Sequence, residues 1–454
     1  MARKTWRALF AFVATMFVSA GANAAADVKV LPHAPKGEVV WYVSDHTLPM
    51  IAMSVAIPAG SAYDPQGKFG LASFTASLLD EGAGTLNAQA FQTALSNRAI
   101  RLSVSPGRDY LVITLVSLTD NAKDAFQLLG LALSHPRFDQ DAIQRVRAQM
   151  LSALEQEDED PPTVAAKAFY KAFFHDHPYG HPVSGDAASI NAINQADLKA
   201  FAAQHWTRGD LRIAVSGDVD PATLTTLLNS AFGHLSAHAA APAPWPTHVG
   251  SPGIQTIPMP VPQPTVVFGL PGLMRSDKDF IPGFVANYIV GGGGFSSRLT
   301  DELRVKRGLT YDVDTSLTTY RRAGIMAGDF ATKAASVQDA IGVVRDTLKD
   351  FADNGPTEKE LADAKTYLTG SFPISFSSNV GIVGVLNGFQ QVGLPIDYIQ
   401  KRNSLIEAVT VADVKRAAAR IYNPRAMTIV IAGTPEAAKP AKPSAPTDSH
   451  ARRH

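Results

Sequence analysis

Gly291 to Val313 reads GGGGFSSRLTDELRVKRGLTYDV. Four glycines lead into a helical segment, and a strand closes it. Phe295, Leu299 and Leu303 recur at four-residue spacing, which predicts a short helix with one apolar face. Ser296 and Ser297 stand where an N-cap hydroxyl is wanted. Gly308 suits the residue just past a helix end, and Tyr311 then enters the polar–apolar alternation of a strand. Arg304 lies one position past the apolar stripe, and Tyr311 follows seven residues later. That gap across a helix end can bring a guanidinium and a phenol to one cleft.

The stretch resembles the C-terminal-half signature of the M16 zinc metallopeptidases, the family of insulin-degrading enzyme, pitrilysin and the mitochondrial processing peptidase. That signature is a glycine cluster, then S-S-R-L, then L-R-x-K-x-G-L-x-Y. It is matched here by Ser296, Ser297, Arg298, Leu299, and then Leu303, Arg304, Lys306, Gly308, Leu309 and Tyr311. The resemblance implies that Arg304 and Tyr311 form a substrate-binding pair, contacting the peptide backbone opposite a metal. It also implies two related domains per chain, facing another such pair across a chamber.

Composition is compatible with that reading. The 454 residues are 46% apolar, enough for two or more full-size cores. With 41 basic and 41 acidic side chains there is no electrostatic reason to expect nucleic acid or an anionic membrane. Cysteine is absent, which excludes a thiolate nucleophile and a cysteine-ligated metal and suits an oxidising compartment. Arg3, Lys4 and Arg7 precede the apolar run Leu9 to Ala20 and the small-residue triplet Ala22-Asn23-Ala24. Residues 1–24 therefore read as a signal peptide cut before Ala25, with an apolar run too short to span a bilayer. No later run approaches the ~20 apolar residues of a span. The expectation is a periplasmic protein with no membrane span after cleavage.

The chain in order alternates strands and helices. Val39–Val43 and Ile51–Ile57 read as a strand pair, Phe69–Leu79 and Ala88–Asn97 as helices, and Arg101–Ser105 and Tyr110–Val116 as strands. Asn121–Ser134, Asp139–Glu157 and Gln195–His205 read as helices and Leu211–Val215 as a strand. Residues 236–253 are a Pro/Ala/Gly linker between domains at 25–235 and 254–434, and 435–454 reads as a disordered tail. In the second half, helices are predicted at Ile281–Tyr288, Val337–Asp353, Glu358–Thr369 and Val411–Ile421, and a strand at Met427–Ile431. Ala196-Asp197-Leu198-Lys199 recurs as Ala412-Asp413-Val414-Lys415, and Leu211-Arg212-Ile213-Ala214-Val215-Ser216-Gly217 recurs as Met427-Thr428-Ile429-Val430-Ile431-Ala432-Gly433 at the same offset. This internal repeat implies duplication. The fold class is α+β: two homologous domains, each a mainly antiparallel sheet with helices packed on one face.

Catalytic members of the family carry H-x-x-E-H after a G-L-A segment. Two histidines at i and i+4 share a helical face and bind zinc, and the glutamate acts as general base. Here Gly70-Leu71-Ala72 is followed by Ser73-Phe74-Thr75-Ala76-Ser77. The resemblance puts Ser73 and Ser77 at the histidine positions, Ala76 at the base and Ala153, counted back from Asp160-Pro161, at the last ligand. Zinc needs about three good protein ligands, and these degenerate metal-site positions offer none. The expectation is no metal in this chain and no peptide hydrolysis by it alone.

Other groups read as structural. His175, His177 and His181 cluster in a segment resembling the family's H-P-Y-G-x-P loop. Glu155 and Glu157 to Asp160 form a solvated helix end. The glycines at 291–294 lack the Lys-Ser/Thr of a phosphate loop and suit close backbone approach or a hinge. Ser296 and Ser297 have no positioned His/Asp partner. The functional expectation is a non-catalytic, substrate-binding subunit that pairs with a zinc-bearing paralogue to cleave peptides. The alternatives are an inert structural or binding protein comparable to the core subunits of cytochrome bc1, and a homodimeric peptide-binding protein.

Overall fold

The computed structural model describes residues 27–31, 38–238, 245–246 and 249–436. The predicted signal peptide, part of the linker and nearly all of the predicted tail lie outside them. The first half contains β1 (Lys29–Val30), β2 (Val39–Ser44), β3 (Met50–Ile57), α1 (Leu71–Ser77), β4 (Gly82–Ala83), β5 (Leu86–Asn87), α2 (Ala88–Ser96), β6 (Arg101–Pro106) and β7 (Leu111–Leu118). It continues through α3 (Ala122–Ser134), α4 (Gln140–Glu159), α5 (Pro161–Phe174), α6 (Ala187–Ala192), α7 (Gln195–His205), β8 (Arg212–Gly217) and α8 (Pro221–Phe232). The second half contains β9 (Gly253–Ile257), β10 (Thr265–Pro271), α9 (Phe280–Asn287), α10 (Arg298–Thr300), β11 (Val313–Thr319) and β12 (Gly324–Ala331). After these come α11 (Val337–Asn354), α12 (Glu358–Ser371), α13 (Asn379–Gln391), α14 (Tyr398–Glu407), α15 (Val411–Ile421) and β13 (Thr428–Ala432).

The two sheets share one strand order. The first runs β1-β2-β8-β3-β7-β6, and the second, read from the matching edge, runs β9-β13-β10-β12-β11. β2 with β8 and β9 with β13 are parallel; the remaining pairs are antiparallel. The strand pair expected at Val39–Val43 and Ile51–Ile57 is corrected by this order, because β8 lies between β2 and β3. β8 is some 150 residues downstream in the chain, and local spacing carries no trace of it. The A-D-L-K and A-D-V-K stretches open α7 and α15. Asp197 and Asp413 each close a capping box there, with Asn194 and Thr410 as the N-caps.

One face of each sheet carries the half's own core. Leu111, Ile113 and Leu115 alternate inward along β7 against Phe74, Phe126 and Leu129. Phe268 and Phe330 do the same against α11 and α15 through Val344, Phe351 and Val414. The other face of each sheet is covered by a helix from the opposite half. α5 lays Phe169 and Phe173 with Val267, Ile325 and Val430 of the second sheet. α13 lays Ile382, Val383 and Leu386 with Trp41, Val43 and Ala214 of the first.

Neither covering helix was anticipated. α5 opens on Pro161-Pro162, a loop-like pair that suits a helix start once Asp160 caps it by accepting from Thr163 N at 3.1 Å. α13 carries Gly381, Gly384 and Gly388, which lower its intrinsic helix preference. Its polar residues also point into the sheet. Asn387 Nδ2 donates to Arg212 O at 2.7 Å, and Gln390 Nε2 donates to Val39 O at 3.0 Å and Ile213 O at 3.1 Å. α8 and α14 were likewise not expected.

Candidate functional site

The stretch from Gly291 folds as a chain of tight turns. α9 ends in a wide helical turn over Tyr288–Gly292, and a short 3₁₀ turn follows over Gly294–Ser296. α10 then continues into a second wide turn over Asp301–Val305. A Cβ at Gly291 would lie 2.3 Å from the Thr315 hydroxyl, so only glycine lets this backbone press on β11. Ser297 caps α10 by accepting from Thr300 N, as expected of that serine. Gly308, at φ +60°, closes the helical run, with its own N–H bonded to Arg304 O at 3.0 Å and Leu309 N to Leu303 O at 2.8 Å.

Leu299 and Leu303 are buried in the second core, but Phe295 is 78% exposed. The expected stripe is corrected here. α10 starts at Arg298, and Phe295 sits in the separate 3₁₀ turn before it, off the face that Leu299 and Leu303 bury. Tyr311 is 80% exposed and lies just outside β11, which begins at Val313. The Arg304 guanidinium carbon lies 4.6 Å from the Tyr311 ring centroid and 4.7 Å from that of Phe295. The structure therefore brings Arg304 and Tyr311 together and adds Phe295, which spacing places on the apolar stripe of the helix.

The cations of this stretch divide sharply. Arg298 donates from Nε to Glu360 Oε1 at 2.6 Å and from Nη2 to Oε2 at 2.8 Å, with a further bond to Asp350 at 3.1 Å. Burial works against the Glu360 anion, but the bonds from Arg298 and Thr357 hold its carboxyl down at about 2. Lys306 pairs with Asp301 and Glu302, and Arg307 with Glu302. Among the described residues, Arg304 has no carboxylate within 4 Å. It is a half-buried cation with its hydrogen-bonding edge uncommitted, stacked on two exposed rings.

Ser73 and Ser77 stand on α1, whose entry is held by the Asp64 carboxylate accepting from Gly70 N at 2.7 Å and Ala72 N at 2.8 Å. Burial pushes the Asp64 carboxyl up to about 7. Ser73 Oγ donates to Val183 O at 2.6 Å, and Ser77 Oγ donates to Ser73 O at 2.9 Å. Ala76 is buried in the first core. Ala153 is exposed on α4, outside the cavity that Ser73 and Ser77 line. Two hydroxyls occupied by backbone carbonyls and two methyl groups do not fit a zinc ion. No trio of His, Asp or Glu that could hold a metal occurs among the described residues.

That cavity, about 840 Å³, lies between the halves. One wall carries Ser73, Ser77, Glu157 and Lys167; the other carries Asp314 and Asp329. Asp314 and Asp329 are opposite each other across β11 and β12. Burial pushes both carboxyls up, and each also stands near another carboxylate. Lys167 pairs with Glu157 at 2.9 Å and Asp158 at 3.2 Å, so the acidic run is a partly paired helix end. Arg304, Phe295 and Tyr311 are not among the residues of its wall.

The histidines have structural places. His177 is buried against Tyr179 and Trp245 and accepts from Tyr179 N at 3.1 Å; burial holds its pKa down at about 4. His181 stacks on Phe69 with centroids 4.3 Å apart. His175 ends α5 at φ 47°.

Two family models match this chain: "Insulinase (Peptidase family M16)" over residues 39–187 and "Peptidase M16 inactive domain" over residues 192–368. A Pseudomonas fluorescens structure described as a peptidase M16 inactive domain is 31% identical. It superposes with a TM-score of 0.86, covering 92% of this chain and 100% of its own. The Helicobacter pylori protein named "Non-peptidase homolog YmxG" is 28% identical over 375 residues, 83% of this chain and 87% of its own. The beta subunit of the mitochondrial-processing peptidase of Blastocladiella emersonii is 24% identical over 417 residues, 88% of each chain.

Proposed function

This chain belongs to the M16 (insulinase) peptidase family, and on that premise we propose that it is a non-catalytic, substrate-gripping subunit of a two-chain peptidase. A zinc-bearing paralogue supplies the metal and the base. The observation that carries the reading is the contrast between the two halves of the family's machinery. The metal positions Ser73, Ala76, Ser77 and Ala153 are blank, while Arg304 and Tyr311 are assembled on an exposed surface.

In this role Arg304 donates a charge-assisted hydrogen bond to a peptide carbonyl, and Tyr311 donates its phenolic proton in a hydrogen bond to the oxyanion that develops during cleavage. The substrate is an unfolded peptide. The basic, apolar and small-residue pattern of residues 1–24 supports export and work in the periplasm. The names of two relatives, a non-peptidase homolog and an inactive domain, suit a chain that does not cut by itself. The first name also suits the second reading, an inert scaffold comparable to the bc1 core subunits.

The test is reconstitution. The chain is expressed alone and with a zinc-bearing homologue from the same organism, and each preparation is assayed with a quenched fluorescent peptide. The expected result is no cleavage by the single chain and chelator-sensitive cleavage by the complex. Chelator-sensitive cleavage by the single chain overturns the reading, and a stable complex without proteolysis gives the scaffold reading instead.

A further inference from the structure

Beside α13 is a second cavity, about 420 Å³, distinct from the one under Ser73. Five aromatic rings line it: Phe280 and Phe284 of α9, Phe372, and Phe389 and Tyr398 near the ends of α13 and α14. Gly384 and Gly388 of α13 face it, and a Cβ at either would meet no atom within 4 Å. The open volume is thus made by two missing side chains on a helix whose other face is pressed on the first sheet.

Two arginines enter this apolar space. Arg275 lies over the rings of Phe280, at 4.2 Å, and Tyr398, at 4.9 Å, and donates one Nη2 bond to the Tyr398 hydroxyl. Arg402 lies over Phe372 at 4.2 Å and donates from Nη1 to Leu368 O at 3.0 Å and Asn403 Oδ1 at 3.1 Å. Among the described residues neither has a carboxylate within 4 Å. Burial lowers the pKa of both, and the charge of Arg275 lowers that of Arg402 further. Two like charges thus share a half-buried pocket with no carboxylate partner among the described residues and with N–H groups left over on each.

We propose that this pocket binds a carboxylate attached to a compact apolar group, the aromatic walls taking the apolar part and Arg275 and Arg402 the anion. A free organic acid and the C-terminal residue of a peptide share this chemistry. The volume falls in the range of small-ligand sites, and a carboxylate matches the planar donor edge of a guanidinium. The inference requires no partner chain and is independent of the role of Arg304.

Calorimetric titration of the full chain with 3-phenylpropionate and with 3-phenylpropanol tests it directly, alongside N-acetyl-Ala-Phe and its C-terminal amide. The acids are expected to bind about tenfold or more tightly than their neutral counterparts. Arg275→Gln and Arg402→Gln each remove that preference and leave the weak binding of the alcohol unchanged. Gly384→Leu, whose Cβ meets no atom within 4 Å and whose side chain enters the void, abolishes binding of both while leaving thermal unfolding in place. Should the glutamine variants fail to fold, the acid–alcohol comparison on the wild type and Gly384→Leu still decide. Preference for the dipeptide acid identifies a peptide C-terminus as the ligand, and preference for 3-phenylpropionate a free acid. Equal affinity for acid and alcohol, or no binding of any of the four probes, overturns the proposal.

Discussion

The guanidinium of Arg304 lies 4.6 Å from the ring centroid of Tyr311, so the phenol touches the cation through its face and leaves its hydroxyl to other work. The two contributions can be separated by substitution. In the reconstituted peptidase, Tyr311→Phe keeps the stacked ring and removes only the donor. It is expected to lower kcat by roughly 10²–10³, the usual effect of losing one oxyanion donor. Arg304→Ala removes both the charge and the stack and is expected to raise KM as well. Steady-state kinetics on a quenched peptide measure both, and unchanged rates would reduce the pair to surface residues.

The zinc content of the isolated chain is a second expectation. Ser73 and Ser77 spend their protons on Val183 O and Ser73 O, and among the described residues no trio of His, Asp or Glu is grouped to hold a metal. Mass spectrometry of the purified chain should find zinc well below one ion per molecule, and chelator should leave its melting temperature unchanged. One tightly held zinc per chain contradicts this.

The exchange of helices between halves sets a stability prediction. Asn387 on α13 donates to Arg212 O and Ser54 O of the first sheet from a fully buried position. Asn387→Ala strands those carbonyls and opens space at the seam between halves. A loss of about 1–3 kcal/mol is expected, seen as a lower urea midpoint with unchanged slope. No shift in midpoint would mean that the seam holds without this bond.

Acid sensitivity should trace partly to His205. It is buried between Tyr63 and Phe201, and burial lowers its pKa from 6.5 to about 4. Between those values the unfolded chain binds a proton that the folded chain refuses. Stability from this group is therefore complete above about 6.5 and is lost as pH falls toward about 4. His205→Phe is expected to flatten the fall in melting temperature across that window, leaving the similar share of His177. A wild-type slope in the variant would assign the sensitivity elsewhere.

Much of this protein was legible from spacing. Elements with one buried face and one less buried face, such as β7, α7 and α15, appear close to where the periodicity puts them, because alternation at 2 or 3.6 residues is the direct imprint of unequal burial. The residue types at Ser73, Ala76 and Ser77 already read as poor metal ligands, and Arg304 and Tyr311, seven residues apart, meet in the structure. Tertiary structure decided the rest. α5 and α13 each bury a face, Ala165, Phe169 and Phe173 on one and Ile382, Val383 and Leu386 on the other, but that face lies on the opposite half's sheet, which local spacing does not name. β8 reaches its place between β2 and β3 from far along the chain, and Phe295 leaves the expected stripe because the backbone turns before α10 begins. Arg275 and Arg402 lie more than a hundred residues apart, and only packing puts them in one pocket. Periodicity records what a segment does to its own two faces; it holds no information about which distant surface will cover them.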